Sequence, residues 1–528
     1  MNNTITAPTI EYGTLAPMLL IFGAAVLGVL VEAFAPRYLR KSIHVPLTLL
    51  SLAGGFLLVI VQAAANGPAK AAVAMGAVAV DGPALFIWGV ILVLAFVSVL
   101  LVNDEGHFVA SAAAVPGSAE EEEAETTGGA HTEVYPLILF AVGGMLLFPA
   151  SNDLLIMFVA LEVMSLPLYL LCGLARRRRL LSQEASMKYF LLGAFSSAFF
   201  LYGMAMVYGF AGTVDLSGIS EALSTGSVLD PLLLVGLALL GVGLMFKIGA
   251  APFQAWKPDV YQGAPTPITA LMASGVLVAA MGAVLRVFWV ALGNLDWDWR
   301  PVMWGVAALT MVVGAILAIT QTDIKRMLAY SSIAHAGFLL IGVMATFDAA
   351  AQNAKSLSAI LFYLVVYGIT TVGAFAVVTL VRDAGGEAGH LSRWAGLGKR
   401  SPILAGVFAF FLLAFAGIPL TSGFFGKYAV FTAALSSGAE RGDSMGAWMT
   451  GLVVVGVIAS AIAAFFYVRV IVLMFFSEPA ADGPTIAAPS VGTVAVIAVS
   501  LLVTVFVGLY PQPVLDLASS AASGLFIR

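Results

Sequence analysis

Three ionisable residues, Glu162, Lys247 and Lys427, lie inside apolar stretches that are long enough to span a lipid bilayer. A charged side chain near the bilayer centre costs about 2.5 to 3.5 kcal/mol on insertion scales, so such residues mark ion pathways or buried partners. Both lysines adjoin helix-breaking motifs, the first at Gly249 to Pro252 and the second at Gly417 to Gly426. The three residues therefore predict ion movement through a membrane.

The composition of the sequence indicates that membrane-spanning helices hold these residues. Of the 528 residues, 61% are hydrophobic and only 10% are charged, and the mean hydropathy is +1.02. A soluble domain of this length does not have such a composition. Apolar runs of about 20 residues, the length that crosses ~30 Å of hydrocarbon, recur along the whole sequence. We predict an all-α integral membrane protein, a single polytopic domain of residues 1–528 with about 14 transmembrane helices. The predicted spans are centred near Leu27, Leu57, Leu94, Met145, Val163, Phe199, Leu240, Ala279, Val312, Leu340, Val372, Phe410, Ala461 and Leu502.

Basic residues alternate between successive loops, and the more basic loops face the cytoplasm. The cytoplasmic set is Arg37, Arg40, Lys41, Arg176 to Arg179, Lys257, Lys325, Arg326, Arg382, Arg393, Lys399 and Arg400. The opposite set is smaller and comprises Lys70, Arg300, Lys355, Arg441 and Arg528. We therefore predict a multi-pass membrane protein, surrounded by lipid, with both termini on the non-cytoplasmic side, and we expect the membrane to be the bacterial inner (plasma) membrane.

Residues 103–133 form an acidic insertion, in which Asp104, Glu105, Glu120 to Glu123 and Glu125 lie among small residues. We predict an acidic cytoplasmic loop here. A solvated linker is favoured over a docking site for a basic partner, because this composition is typical of chains that cannot bury apolar surface.

The single cysteine, Cys172, excludes an intrachain disulfide and a cysteine-held iron–sulfur cluster. We predict no cofactor-binding site and no metal site in this chain. The formal net charge of -5 is small for this length and gives no indication of nucleic acid as a partner.

The seventh and twelfth predicted spans have similar sequences, since each places a lysine beside a break that aromatic residues follow. Two equivalent helices that are five spans apart cross the membrane in opposite directions, because five is an odd number. This arrangement is typical of inverted-topology repeats, in which discontinuous helices form the substrate and ion sites. We predict two inverted five-helix repeats, at about residues 134–292 (helices 4–8) and 302–476 (helices 9–13), which contain broken helices 7 and 12. Backbone groups that lose their helical hydrogen bonds inside the membrane are tolerated only where they face protein or water. A proton path requires such water.

Simpler interpretations exist for each feature. Pro252 and Pro419 fit ordinary proline kinks, and either lysine fits a side chain that snorkels from a helix end. Glu162 has no basic residue nearby in its own span, so it needs a partner from another helix, and Lys247 is the candidate. Two lysines in matched contexts together with an acid favour the functional interpretation.

Several segments resemble the antiporter-like, proton-translocating subunits of respiratory complex I, the NADH-quinone oxidoreductase, and most closely the N-type subunits. The similar segments are residues 161–169, 184–190, 246–252 with Trp256, 258–267 and 323–335. The resemblance covers nearly all fourteen spans, and the run Lys-Pro-Asp-Val-Tyr-Gln-Gly-Ala-Pro at 257–265 is highly specific. It implies a proton-translocating membrane-arm subunit that is driven by quinone reduction elsewhere in the complex. NADH, FMN, iron–sulfur clusters and quinone would belong to other subunits, and the neighbouring antiporter-like M and small K subunits would be membrane partners.

The same resemblance implies roles for individual residues. Glu162 corresponds to the helix-five glutamate and Lys247 to the helix-seven lysine, whose separation would set the proton affinity of the lysine. A nearby carboxylate favours the ammonium form and burial disfavours it, so this implication is physically reasonable. Lys427 corresponds to the helix-twelve lysine that passes the proton outward. His335 would belong to the hydrated central axis between the two lysines.

Two positions depart from the family pattern. Leu277 stands in helix eight where the family typically has a central lysine, and Gln254 stands where a histidine is common. Glutamine forms hydrogen bonds but does not titrate. Either His335 and ordered water bridge the gap between Lys247 and Lys427, or this subunit conducts poorly.

Other charged residues receive plainer interpretations. Glu184 and Lys188 are four residues apart at the start of helix six, so a simple i,i+4 pair is slightly favoured over a role in proton uptake. Lys257 and Asp259 are expected to shape a proline-rich loop. Arg286 lies near a predicted helix end, where snorkelling is the simpler account.

Two further hypotheses stay open. The chain could be a subunit of a related cation/proton antiporter or of a membrane-bound hydrogenase, since the large subunits of both share this fold. It could also be a non-conducting structural subunit of complex I, which the leucine at position 277 would favour. The segments around Glu184 and Asp259 favour the complex I interpretation.

Overall fold

The computed structural model describes residues 10–66, 71–103, 131–174, 179–225, 230–345, 350–383, 386–441, 444–479, 483–524 and 526. Most of the acidic loop predicted at 103–133, and the basic residues Arg176 to Arg178, lie outside the described residues.

The described chain is built from α-helices, as the hydropathy of the sequence predicts. Their bounds are α1 Tyr12–Phe34, α2 Arg37–Asn66, α3 Gly82–Val102, α4 Val134–Ala150, α5 Leu154–Cys172, α6 Arg179–Ala211, α7 Leu216–Thr225, α8 Pro231–Ile248, α9 Trp256–Gly263, α10 Thr266–Ala291, α11 Asp296–Ile319, α12 Ile324–Met344, α13 Ala350–Leu380, α14 Leu397–Arg400, α15 Pro402–Ala416, α16 Ser422–Arg441, α17 Ser444–Phe476, α18 Val491–Leu509 and α19 Gln512–Ser523. Twelve of these helices are long and apolar enough to cross a membrane, and α4 and α15 are shorter apolar helices. Every predicted span centre falls in one of these fourteen helices, which confirms the all-α multi-pass fold.

Short strands connect some of the helices. Strand β1 (Ala71–Val73) pairs antiparallel with β2 (Val78–Val80), and β3 (Val381–Asp383) lies between β4 (Gly386–Glu387) and β5 (Thr485–Ile486). These ribbons occupy the connections between spans, where backbone groups need partners outside the helices.

The seventh and twelfth spans are broken, as predicted. Helix α8 ends before Gly249 (φ 74°, ψ 37°) and the chain resumes in α9, whereas α15 ends before Gly417 (φ 81°, ψ 39°) and resumes in α16. The left-handed conformation costs residues with a Cβ atom about 1 to 2 kcal/mol, which explains glycine at both positions. At both ends the amides after the helix bond back to its last turn, in the manner of a Schellman motif. The boundaries of the two five-helix repeats remain predictions.

The helices divide into an interior and a periphery. Helices α10, α12 and α13 are almost wholly buried, whereas α1, α2, α6, α11, α17 and α18 expose much of their apolar surface. Helix α10 is also irregular, with π-helical turns at Met272–Val276 and Val287–Ala291. Such turns often accompany functional sites. Of the interior helices, α12 carries His335 and packs against α9 and α16, the elements that follow the two breaks.

Candidate functional site

Lys247 occupies the last turn of α8 and is buried. Its ammonium donates to the Ser165 hydroxyl at 2.5 Å, and that hydroxyl donates to the Leu161 carbonyl oxygen. The faces of Tyr169 and Tyr189 lie 5.9 Å and 5.5 Å from the Lys247 Nζ. One hydroxyl and two aromatic rings therefore surround this cation, and ring faces attract cations through their quadrupoles.

Glu162 lies on α5, one turn before Ser165. It forms no hydrogen bond or ion pair within the part of the chain that the structure describes, and its Oε1 atom is buried without a partner. No salt bridge joins Glu162 to Lys247 among the described residues, and Ser165 makes the direct contact with the lysine, which the sequence did not indicate. The pairing of Glu162 with Lys247 stays a prediction.

The first break brings a second lysine to the same region. Lys257, in α9, is 2% exposed, and its Nζ donates to the Ile248 carbonyl oxygen at 3.0 Å. The Tyr261 ring centroid lies 5.8 Å from that Nζ. A Cβ atom at Gly249 would lie 2.7 Å from the Lys257 Cδ, so the glycine leaves room for the lysine. The expectation of a loop lysine is therefore wrong: Lys257 belongs to a helix and points into the protein, because the break creates carbonyl acceptors there.

Lys427 lies beyond the second break, in α16, and is buried. Its Nζ donates to the carbonyl oxygens of Phe415 and Ala416, both at 2.9 Å, and to the Ser460 hydroxyl at 2.7 Å. The Phe338 ring lies 4.9 Å from the ammonium. The end of α15 thus supplies two of the three acceptors for this lysine, and α17 supplies the third.

His335, in α12, lies beside Lys427. Its Nδ1 is 2.8 Å from the Tyr363 hydroxyl, and its Nε2 is buried without a hydrogen-bond partner among the described residues. The rings of Phe338 and Phe415 pack on the imidazole at 5.6 Å and 5.7 Å between centroids. Because both phenylalanines also contact Lys427, the structure brings these two predicted residues together.

Several other buried polar atoms near these residues have no hydrogen-bond partner among the described residues. They include Tyr169 Oη, Tyr189 Oη, Gln254 Oε1, Ser332 Oγ and Thr371 Oγ1. Buried polar groups are nearly always paired with protein or with ordered water. Buried polar groups without a protein partner are therefore present in an interior that is otherwise strongly apolar.

Glu184 and Lys188 form the predicted i,i+4 ion pair, with 2.7 Å between the charged atoms. Lys188 also contacts Asp259 at 2.6 Å, and Arg326 contacts the other Asp259 oxygen at 2.5 Å. Asp259, which was also expected in a loop, lies in α9 and joins α6 to α12. This charged cluster is partly exposed, and its three ion pairs do not include Lys247, His335 or Lys427.

Helix α10 carries Leu277 at its centre, directly after a π-helical turn, and this side chain is buried. Arg286 is the one ionisable residue of this helix. It is fully buried, binds Asp81 through two bonds of 2.9 Å and 3.0 Å, and donates to the Pro149 carbonyl oxygen at 2.7 Å. The expectation that Arg286 snorkels is therefore wrong, because a carboxylate 205 residues earlier neutralises it inside the protein.

Comparison with known proteins agrees with this architecture. Residues 151–452 match the family model described as NADH:quinone oxidoreductase/Mrp antiporter, TM. The NADH-quinone oxidoreductase subunit N of Rhodococcus opacus (strain B4) is 60% identical over 98% of this chain and 97% of its own length. Subunit N of Mycobacterium tuberculosis (strain ATCC 25618 / H37Rv) is 54% identical over 98% of this chain and 99% of its own.

Solved structures extend the similarity to three dimensions. A chain of respiratory complex I from Thermus thermophilus with bound aureothin has a TM-score of 0.75 and 32% identity, over 95% of this chain and 99% of that one. A chain of the Mrp complex from Dietzia sp. DQ12-45-1b has a TM-score of 0.79 over 98% of both chains, and at 20% identity it shows the shared fold alone. Since the family model covers more than half of the sequence and the relatives cover nearly all of it, this chain belongs to the N-subunit family of NADH-quinone oxidoreductases.

Proposed function

We propose that this chain is a proton-translocating subunit in the membrane arm of NADH-quinone oxidoreductase. Glu162, Lys247, His335 and Lys427 would carry or control the proton, and quinone reduction elsewhere in the complex would drive it. The observation that carries the proposal is the placement of buried lysines at two broken helices, with an unpaired imidazole nitrogen beside one of them. Residues of this kind inside a membrane are expensive to bury and are retained for transport.

The contacts of Lys247 support a control mechanism. Burial disfavours the charged form of a lysine, and a nearby carboxylate favours it. Because Glu162 acts on Lys247 without touching it, a small movement of α5 relative to α8 would change how firmly the lysine holds its proton. Moving a proton against a membrane potential costs about 2.3 kcal/mol per 100 mV, so the change must be at least of that order.

The unpaired polar atoms support a route between the sites. Tyr169, Tyr189 and Gln254 have such atoms near the first break, and Ser332 and His335 have them near the second. Ordered water satisfies groups of this kind where the surroundings are polar enough. A chain of water molecules through these positions would connect Lys247 with His335 and Lys427.

The setting of the subunit follows from the same proposal. NADH, FMN, the iron–sulfur clusters and quinone would be bound by other subunits, and the membrane neighbours would be the M-type and K-type subunits. The relatives are subunits of bacterial enzymes, which supports a bacterial plasma membrane location, and the distribution of basic residues between loops supports both termini outside the cytoplasm. The exposed apolar surfaces of the outer helices would face lipid or these neighbours.

The test is NADH-driven proton pumping, measured together with NADH:quinone turnover, in membranes that carry Lys247→Ala in the assembled complex. We expect loss of pumping with the complex intact. Lys399→Ala is the matched control, because Lys399 is half exposed and pairs with the exposed Glu478. Unchanged pumping in Lys247→Ala would make the chain a structural subunit. NADH-driven sodium movement without proton movement would favour the cation antiporter interpretation.

A further inference from the structure

The two broken spans place a lysine in the same way. At the first break, Lys257 reaches back from α9 and donates to the carbonyl oxygen of Ile248, the last residue of α8. At the second, Lys427 reaches back from α16 and donates to the carbonyl oxygen of Ala416, the last residue of α15. Both ammonium groups therefore bind the carbonyl end of the preceding half-helix, where the helix dipole favours a cation.

The glycines complete this similarity. A Cβ atom at Gly249 would lie 2.7 Å from the Lys257 Cδ, and one at Gly417 would lie 3.0 Å from the Lys427 Cδ. Each lysine thus passes over a left-handed glycine that ends the first half-helix. By this geometry the counterpart of Lys427 is Lys257. Lys247, which the sequence pairs with Lys427, precedes its break instead of following it.

The surroundings of Lys257 leave its charge unneutralised. Within the described residues the one hydrogen bond of its ammonium is to the Ile248 carbonyl, and an ammonium has three donors. Two other buried cations differ, since Lys325 contacts Glu387 at 3.1 Å and Arg286 contacts Asp81 at 2.9 Å. A buried ammonium without a carboxylate partner is costly, and such groups in membranes are usually functional.

The position of Lys257 connects the two halves of the proposed route. Its ammonium binds the residue that follows Lys247, and α9 packs directly against α12, which carries His335. His335 lies within electrostatic range of both Lys257 and Lys427. Helix α10 offers no titratable alternative, because Leu277 is apolar and Arg286, its one ionisable residue, is bound to Asp81.

We propose that Lys257 carries the proton between Lys247 and His335, as the counterpart in the first break of Lys427 in the second. The inference rests on the proton-translocating function proposed above. In the step, an N–H bond of the Lys247 ammonium breaks and one forms on the neutral amine of Lys257. An N–H bond of Lys257 then breaks as the unpaired Nε2 of His335 gains the proton. No other reactant is needed.

Two variants separate proton transfer from simple capping of the broken helix. Lys257→Gln keeps a side-chain N–H donor for the Ile248 carbonyl but cannot take up a proton. Lys257→Arg keeps both a donor and a positive charge, but arginine does not deprotonate in proteins. A capping role would survive in both variants, whereas a proton-carrying role would be lost in both.

The measurement is NADH-driven proton pumping per NADH oxidised, in membranes with the complete complex and with assembly verified for each variant. We expect pumping to fall about tenfold or more in both variants, since loss of a proton-transferring group usually costs at least that much. Either variant that assembles and pumps at the rate of the Lys399→Ala control overturns the inference. If Lys247→Ala loses pumping in that case, the proposed function stands without Lys257. If Lys247→Ala also pumps normally, the proposed function fails as well.

Discussion

At the scale of single residues, Ser165 determines how Lys247 is held. Its hydroxyl proton is engaged by the Leu161 carbonyl oxygen, so the hydroxyl can only accept from the lysine. The acceptor is therefore oriented before the lysine binds it. Glu162 lies one turn away on the same helix and forms no hydrogen bond with the lysine. The lysine is therefore positioned by a neutral hydroxyl, and the proposed charge compensation by Glu162 would act through space.

Ser165→Ala should slow proton pumping with the complex still assembled. The substitution removes the side-chain acceptor of a buried ammonium, and a hydrogen bond to a charged group contributes about 1.5 to 3 kcal/mol, so we expect roughly a tenfold effect. NADH-driven pumping and quinone turnover in membranes measure it. Ser274→Ala is the control, because that buried hydroxyl donates only to the Ala270 carbonyl of its own helix. Equal behaviour of the two variants would contradict the role of Ser165.

Glu162→Gln should abolish coupled pumping while it preserves side-chain shape. The carboxylate is the source of negative charge that acts on Lys247, and the amide cannot replace that charge. Pumping is compared with Glu478→Gln, an 84% exposed carboxylate that pairs with Lys399 at the surface. Full pumping in Glu162→Gln would show that the charge of Glu162 does not control Lys247.

At the scale of the elements, the broken helices depend on glycines that make room for lysines. In both breaks the left-handed glycine turns the chain and frees carbonyl oxygens, and the lysine of the next half-helix occupies the space that a Cβ atom would fill. The conformation of each break and the position of its lysine therefore depend on each other. A substitution at the glycine should displace the lysine even though it leaves the charged group itself unchanged.

Gly249→Ala tests this dependence. The left-handed conformation costs an alanine about 1 to 2 kcal/mol, and the new methyl would clash with Lys257. We expect lower pumping and earlier thermal inactivation of NADH:quinone turnover. Gly241→Ala is the matched control in the same helix, since a Cβ atom there meets open space in an ordinary helical conformation. If both variants behave alike, the geometry at Gly249 has no special importance.

At the scale of the whole molecule, a buried ion pair joins distant parts of the chain. Arg286 of α10 binds Asp81, which caps the start of α3, and also binds the carbonyl of Pro149 at the end of α4. The ring of Phe526, near the end of the chain, covers the guanidinium at 4.8 Å. The arginine therefore holds together four separate segments around the interior of the protein.

Arg286→Leu should reduce the amount of assembled subunit and lower the temperature at which turnover is lost. Removing one partner of a buried ion pair costs about 3 to 5 kcal/mol, because it leaves the other charge unpaired. The double variant Asp81→Asn with Arg286→Leu should recover part of this loss, since no buried charge remains while the asparagine still caps α3. Lys399→Ala removes an exposed pair and should have little effect. Absence of recovery in the double variant would mean that the bonds of Arg286 to Pro149, and not charge pairing, provide the stability.

The sequence by itself determined the membrane fold, the spans, the two breaks and the family. The fold, the spans and the breaks are local features, because the hydropathy of a span is the sum over one continuous segment, and glycine and proline act on the backbone at their own positions. Glu162, Lys247 and Lys427 were identifiable as candidates for the same reason, as ionisable groups in apolar runs, and His335 became a candidate through the resemblance to the family. Glu184 and Lys188 were identifiable as an i,i+4 pair, which the structure contains.

Only the tertiary structure decided which residues meet. Ser165 and Lys247 are 82 residues apart, Asp81 and Arg286 are 205 apart, and Asp259 joins two cations 71 residues before and 67 after it. Such contacts depend on how each helix is rotated about its axis, and helices that are apolar on all sides carry little sequence signal for that rotation. Lys257 shows this most clearly. Its position in the sequence suggests a loop, and its burial follows only from the carbonyl groups that the break in the seventh span turns toward it.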